Sequence, residues 1–320
     1  MRRIGVLTSG GDTPGMNAAI RAVYKAGVGY GYSVMGIYHG FKGLIEGRVR
    51  EIEPEDVENT MHKGGTILRT ARSEEFKAEE GQAKALRVLK AYGMEGLIVI
   101  GGDGSFRGLK DLCDAGVRGI GLPGTIDNDM GYTDFTIGFD TAINNVMTEI
   151  YKLRDTMRSH DRVGIIEVMG RACGDIALWA GTAGAADIIL VPECPVPWDD
   201  VACQLADYQL RGKLTSIVLI AEGAGKAADL AAYINEHTTV ESRAVVLGYI
   251  QRGGNPSAFD RINAARMGAR AVQLLYEGKG CRAVGIKDNH IIDVSIEEAV
   301  MAKDIIDKDL YDLNGVLAKF

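Results

Sequence analysis

The stretch Leu97–Asp129, LIVIGGDGSFRGLKDLCDAGVRGIGLPGTIDND, leaves this chain little freedom in what it can fold into. An apolar run, Leu97–Ile100, breaks into the glycine loop Gly101-Gly102-Asp103-Gly104-Ser105. A segment of helical character with Leu109, Leu112 and Cys113 follows. Gly119–Leu122 then breaks into a second loop, Pro123-Gly124-Thr125-Ile126-Asp127-Asn128-Asp129. Strand, loop, helix and strand at this spacing make a βαβ unit, whose strands must be parallel because the crossover is long enough to return. Both loops then leave the carboxyl edge of one sheet, where open α/β sheets bind ligands. Asp103 and Asp127 are therefore predicted to face one crevice, the candidate active site.

The same alternation runs along the chain. Strands are expected at Arg3–Leu7, Ser33–Tyr38, Val163–Val168, Ile188–Val191, Ile217–Ile220 and Val245–Leu247. Helices are expected at Asn17–Ala26, Glu79–Ala91, Asp140–Arg158, Cys173–Ala183, Val201–Leu210, Lys226–Asn235 and Asn263–Tyr276. Glu51–Asn59 reads as an exposed acidic segment, and Gly248–Arg261 as a glycine and proline connector. Alternation of this kind means a doubly wound, Rossmann-like parallel α/β fold. The loop-rich junctions near Gly138 and Gln251 are the places for a change of domain. The expectation is a first domain of 1–138 plus 251–304 and a second of 139–250 plus 305–320.

With 46% hydrophobic and 25% charged residues, the 320-residue chain is an ordinary globular one with room for two domains. A net charge of −7 argues against nucleic acid or a membrane surface as partner. The amino end turns polar at Thr8-Ser9, too soon for a signal peptide, and no apolar run reaches the roughly 18 residues of a membrane span. Five scattered cysteines without a CxxC pair read as reduced packing residues in a cytoplasmic protein.

Glycine loops at helix starts offer backbone N–H groups and the helix dipole to anions. Gly11, in Gly10-Gly11-Asp12, and Gly102–Ser105 fit this description. Asp103 beside phosphates is repulsive unless a cation lies between, and magnesium held by one or two carboxylates and phosphate oxygens resolves that conflict. The bland reading is a turn whose aspartate caps the helix. No GxxxxGK[ST] occurs, which removes the usual P-loop enzymes. Phosphoryl transfer to an alcohol needs a carboxylate to take the hydroxyl proton, and Asp127, with Thr125 and Asp129 beside it, is the candidate. An Asx turn in a surface loop is the alternative. Arg72, Arg162, Arg171, Arg243 and Arg252 lie in glycine loops or at strand ends and suit phosphate recognition, though any one alone reads as a solvated charge. Glu222, directly after a strand, is suited to sugar hydroxyls or to a helix start.

The segments GGDTPGMN, GGTILRTARSEEF, GGDGS, PGTIDND, VMGR, AEG and IQRGGNP occur in the order and spacing of bacterial ATP-dependent 6-phosphofructokinases, a family this chain resembles over essentially its whole length. The resemblance implies ATP-dependent phosphorylation of fructose 6-phosphate to fructose 1,6-bisphosphate, with the active site in the cleft between two doubly wound domains. It assigns ATP to Gly11, Arg72, Ser73, Gly102, Asp103, Gly104 and Ser105, with Mg2+ on Asp103. It makes Asp127 the base for the 1-hydroxyl, beside Thr125, Ile126 and Asp129, and has Arg171 steady the transferring group together with Gly11. Met169, Gly170, Glu222, Tyr249, Ile250, Gln251 and Arg252 would hold the sugar phosphate. Arg162 and Arg243 would reach it from a neighbouring subunit, which implies a homotetramer. Arg21, Lys25, Arg154, Asp187, Arg211 and Lys213 correspond to a regulatory site for ADP or phosphoenolpyruvate.

Pyrophosphate-using relatives carry Asp and Lys where this chain has Gly104 and Gly124, so two glycines are expected to leave room for a nucleotide. Tyr249 stands where the family often has His. Lys25, Pro54, Asn59, Leu214 and Thr215 replace cationic or acidic effector-site residues, so effector binding is expected to be weak or lost. A pyrophosphate-dependent enzyme and a non-catalytic sugar-phosphate sensor are the alternatives. Gly104 and Gly124 oppose the first, and the presence of both Asp103 and Asp127 the second. A dehydrogenase is disfavoured because the first strand leads into GGDTPG and not GxGxxG.

Overall fold

The structure, a computed structural model, describes residues 2–303 and 305–319. Its strands are β1 (Arg2–Thr8), β2 (Tyr32–Ile37), β3 (Val49–Glu51), β4 (Met94–Gly101), β5 (Gly119–Pro123), β6 (Val163–Val168), β7 (Ile188–Leu190), β8 (Ser216–Ala221), β9 (Ser242–Val246), β10 (Arg282–Lys287) and β11 (His290–Ser295). Its helices are α1 (Met16–Gly29), α2 (Gly40–Glu46), α3 (Pro54–Val57), α4 (Glu79–Ala91), α5 (Asp103–Asp114), α6 (Phe139–Ser159), α7 (Asp175–Ala183), α8 (Trp198–Leu210), α9 (Ala227–His237), α10 (Ala258–Tyr276), α11 (Ile296–Met301) and α12 (Lys308–Leu317). The chain divides into two compact units, Met1–Thr141 with Arg252–Asp304, and Ala142–Gln251 with Ile305–Phe320.

The first unit is built on a seven-stranded sheet of order β11-β10-β5-β4-β1-β2-β3. The pairing of β4 with β5 is parallel, Leu97 opposite Gly119 through Gly101 opposite Pro123. The inner strands are apolar on both faces because each face is covered. Ile4, Val6, Ile98, Ile100, Ile120 and Leu122 pack with Ile20, Val23, Met267 and Leu274 of α1 and α10. Leu7, Leu97 and Val99 point the other way, onto Phe41, Leu89, Phe106 and Leu109 of α2, α4 and α5.

Both edges of this sheet depart from the expected all-parallel pattern. β3 runs antiparallel to β2, and β11 antiparallel to β10. β3 spans three largely exposed residues and β11 is only half-buried, so neither carries the apolar run by which the inner strands are read. The unit boundary also lies at Thr141, three residues beyond Gly138. The buried Asp260 of α10 explains this, since its carboxylate accepts Gly138 N and Thr141 N, both at 2.8 Å, and ties the start of α6 to the first unit. α10 itself starts five residues before Asn263, because Ser257 Oγ accepts Asp260 N at 3.2 Å and caps it.

The second unit has a four-stranded, wholly parallel sheet of order β7-β8-β6-β9. Ile165, Ile188, Leu190, Val218 and Ile220 pack against Val201 and Leu205 of α8 and Leu230 and Ile234 of α9. α7 lies on the opposite face. A β-carbon at Gly181 would stand 2.6 Å from Ile189 Cδ1, so only glycine lets that helix approach so closely.

Candidate active site

In the first unit three loops are knitted together at the carboxyl edge of the sheet. Ser9 N donates to Ile100 O at 2.9 Å, and Gly124 N donates to Gly101 O at 3.0 Å. A β-carbon at Gly101 would lie 2.6 Å from Ser9 O, and one at Gly102 3.4 Å from Thr125 Cβ. The two loops of the βαβ unit are therefore neighbours, as their spacing implied. Gly102 caps α5, so Asp103, Gly104 and Ser105 form its first turn rather than a free loop. Asp103 is partly exposed there. Its carboxylate takes both Arg107 Nη2, at 2.9 Å, and Arg107 Nε, at 3.2 Å.

The Thr125–Asp129 loop is held from within. Thr125 Oγ1 accepts Asp127 N at 3.1 Å, and Thr136 Oγ1 donates to Thr125 O at 2.7 Å. Asn128, left-handed at φ 57°, accepts Thr136 N through Oδ1 at 2.9 Å. Asn is among the few residues that adopt this conformation cheaply. Asp127 is 5% exposed, and Ile126 beside it is buried.

Thr70 Oγ1 donates to Gly10 O at 2.7 Å, tying the arginine-bearing loop to the first glycine loop. Ser73 Oγ accepts Phe76 N at 3.2 Å, which leaves Arg72 exposed between two anchored residues. Arg252 lies over Gly11 and pairs with Asp12, Nη2 to Oδ1 at 3.4 Å and Nε to the carbonyl at 3.3 Å.

The second unit assembles its own set. Gly170 (φ 135°) and Arg171 (φ 54°) turn sharply after β6, and Arg171 N donates to Glu222 Oε1 at 2.9 Å. Gly223 admits no side chain because a β-carbon would overlap Arg171 O. Met169 N donates to Oε1 of the fully buried Gln251 at 3.1 Å, whereas Tyr249, 79% exposed, and Ile250 point outward. Arg162 and Arg243 share one acid, Glu241, at 2.9 and 2.6 Å. Glu241 and Thr136 have no motif around them that would single them out, whereas Asp12 lies within GGDTPGMN beside Gly11, a motif that does mark it.

The residues compared with an effector site are engaged locally. Asp187 takes Lys213 Nζ at 2.5 Å and Ile217 N at 2.7 Å, one on each oxygen. Arg154 donates to the carbonyls of Gly184 and Ala185, both at 2.7 Å, and Arg211 pairs with Asp207 at 3.4 Å. Arg21 is partly buried on α1, and Lys25 lies 5.8 Å from the Tyr24 ring centroid. The five cysteines are free thiols. Among the described residues no group of three or more His, Cys, Asp or Glu could hold a metal, and no helix is long and apolar enough to cross a membrane.

Glycine loops gathered at the carboxyl edge of a doubly wound sheet define the class of α/β proteins that bind phosphate-bearing ligands there. The Phosphofructokinase family matches residues 3–275, and the chain belongs to that family. It is 54% identical over 319 residues to the ATP-dependent 6-phosphofructokinase of Clostridium botulinum, covering 100% of both chains. Phosphofructokinase from Saccharomyces cerevisiae superposes with a TM-score of 0.88 at 34% identity, over 99% of this chain and 48% of that one. A pyrophosphate-dependent phosphofructokinase from Marinobacter aquaeolei reaches a TM-score of 0.86 at 22% identity, covering 100% of this chain and 92% of that one. The last likeness shows the fold alone, so the backbone does not separate the two phosphoryl donors.

Proposed function

We propose that this chain is an ATP-dependent 6-phosphofructokinase of glycolysis. It moves the γ-phosphoryl group of ATP to the 1-hydroxyl of fructose 6-phosphate, giving fructose 1,6-bisphosphate and ADP. Full-length identity of 54% to a relative of that name supports the reaction. The observation that carries the mechanism is the contact between the Gly102 and Thr125 loops, which sets the partly exposed Asp103 and the buried Asp127 on neighbouring loops of one sheet edge.

Asp127 takes the proton of the 1-hydroxyl as its oxygen bonds to the γ-phosphorus and the bond to the ADP oxygen breaks. Thr125 braces the loop through its hydroxyl, and Asp129 follows within it. Backbone N–H groups of Gly11 and of Gly102–Ser105, with Arg72 and Ser73, bind the nucleotide phosphates. Mg2+ fits Asp103, a partly exposed carboxylate in the first turn of α5 that pairs with the exposed, exchangeable Arg107. The ion supplies neutralisation of the phosphate charge. Arg171 steadies the transferring group, Glu222 takes sugar hydroxyls, and Arg252 takes the 6-phosphate. Arg162 and Arg243 act in a homotetramer with shared sites, and the protein works in the cytoplasm. Regulation by ADP or phosphoenolpyruvate is weak, because Asp187, Arg154 and Arg211 already have internal partners.

The donor reading is supported more strongly by one glycine than by the other. Nothing lies within 4 Å of a β-carbon at Gly104, so that space is open for a nucleotide. At Gly124 the space is taken by Ile100 Cγ2 at 3.0 Å and Met16 Cε at 3.2 Å. Gly124 is thus a packing glycine and carries none of the donor argument. Initial rates of fructose 6-phosphate phosphorylation with Mg-ATP and with Mg-pyrophosphate, each with and without ADP, test the proposal. Turnover with pyrophosphate would refute the donor assignment, and turnover with neither would leave a sensor.

A further inference from the structure

At the β3 edge of the first unit is a cavity of about 470 Å³, within the range of about 300–1,000 Å³ usual for small-molecule sites. Tyr38, His39, Arg48, Arg50, Ile67 and Arg69 line it, and none of them has a role in the reaction proposed above. Three guanidinium groups on one small wall repel one another unless anions lie among them. Two have an acid at hand. Arg48 Nε is 2.5 Å from Glu46 Oε2, and Arg50 Nη2 is 2.7 Å from both Asp56 Oδ1 and the Tyr38 hydroxyl. The third, Arg69, is exposed, and among the described residues its guanidinium has no ion pair or hydrogen bond.

The wall is anchored despite its exposure. His39 (φ 64°) and Arg69 (φ 58°) both hold left-handed backbone, which is unfavourable for a residue with a β-carbon. Fixed hydrogen bonds keep them there, His39 N to Leu68 O at 2.9 Å and Thr8 Oγ1 to Arg69 O at 2.9 Å. Guanidinium forks match phosphate oxygens in pairs, and Tyr38 and Ile67 supply an apolar side for an organic remainder. We propose that this cavity binds a phosphate group, free or carried on a small organic molecule, with Arg69 and Arg50 as its ligands.

The test is arginine modification of the full chain by phenylglyoxal, followed peptide by peptide by mass spectrometry, with inorganic phosphate as the probe. At phosphate tenfold above its Kd, modification of Arg69 and Arg50 should slow by about tenfold, as the free fraction falls. Chloride at equal ionic strength should leave both rates unchanged. Arg69→Ala, which removes no side-chain hydrogen bond or ion pair among the described residues, should leave Arg50 unprotected. A nucleoside monophosphate that protects at lower concentration would mark the organic remainder as part of the ligand, and equal protection would mark the phosphate alone. Unchanged rates with phosphate, equal slowing by chloride, or protection of Arg50 that survives Arg69→Ala would each overturn the proposal.

Discussion

The guanidinium of Arg252 lies directly over Gly11, so that a β-carbon at Gly11 would overlap Nη2 while the guanidinium also reaches the carbonyl and carboxylate of Asp12. The two residues are 241 positions apart and belong to the same unit. The clash falls on the free end of a long side chain and not on backbone. Gly11→Ala should therefore fold normally while displacing Arg252. A charge-assisted contact is worth about 1.5–3 kcal/mol, so kcat/KM for fructose 6-phosphate should fall roughly 10- to 100-fold. Steady-state kinetics beside a thermal melt would check this, and unchanged kinetics would mean that the placement of Arg252 is irrelevant to the reaction.

Asp127→Asn keeps shape and volume in a buried loop whose backbone is held by Thr125 and Asn128. Loss of the general base should lower kcat by about 10²–10⁴ with the melting temperature little changed. A near-normal kcat would remove Asp127 from the role of base.

Gly104→Asp and Gly124→Ala separate ligand effects from packing effects. At Gly104 an added β-carbon meets nothing within 4 Å, so stability should stay within about 0.5 kcal/mol while KM for ATP rises. At Gly124 a methyl group would press on Ile100 and Met16, at a cost of about 1–3 kcal/mol. Urea denaturation of both variants reads the difference. A Gly104→Asp chain that uses ATP normally would defeat the donor argument.

Burial pushes the Asp260 carboxyl up to about 6 from its ordinary 3.8, against the hydrogen bonds from Thr141 and Gly138 that favour the charged form. The folded chain then keeps this proton in a pH range where the unfolded chain has lost it. The contribution to stability is full below 3.8 and is lost as pH rises through about 6. Asp260→Asn removes the titration and misplaces one donor against Gly138 N or Thr141, costing about 1–3 kcal/mol. Denaturation midpoints measured from acid to neutral pH should show the wild-type chain losing stability relative to the variant between those two values. Parallel curves would show that Asp260 does not titrate there.

The central βαβ unit was legible in the sequence because its signals are local. Leu97–Ile100 and Gly119–Leu122 are apolar on both faces, as strands covered by helices must be, and glycines end each run. The adjacency of the loops bearing Asp103 and Asp127 follows from parallel pairing alone. The antiparallel edges were not legible, since β3 and β11 bury too little to leave a pattern.

What the sequence by itself determined is the two-faced strand core, most of the order of elements from β1 to α10 and the residue types at the loops, all set by chain-local periodicity and by glycine's backbone freedom. What only the tertiary structure decided is which side chains meet. Arg252 covers Gly11, Asp260 caps α6 from α10, Glu241 serves both Arg162 and Arg243, and Gly124 packs where a nucleotide had been expected to need room. Such contacts join positions far apart in the chain. They depend on angles and distances set by the packed sheet and helices, which no local pattern encodes.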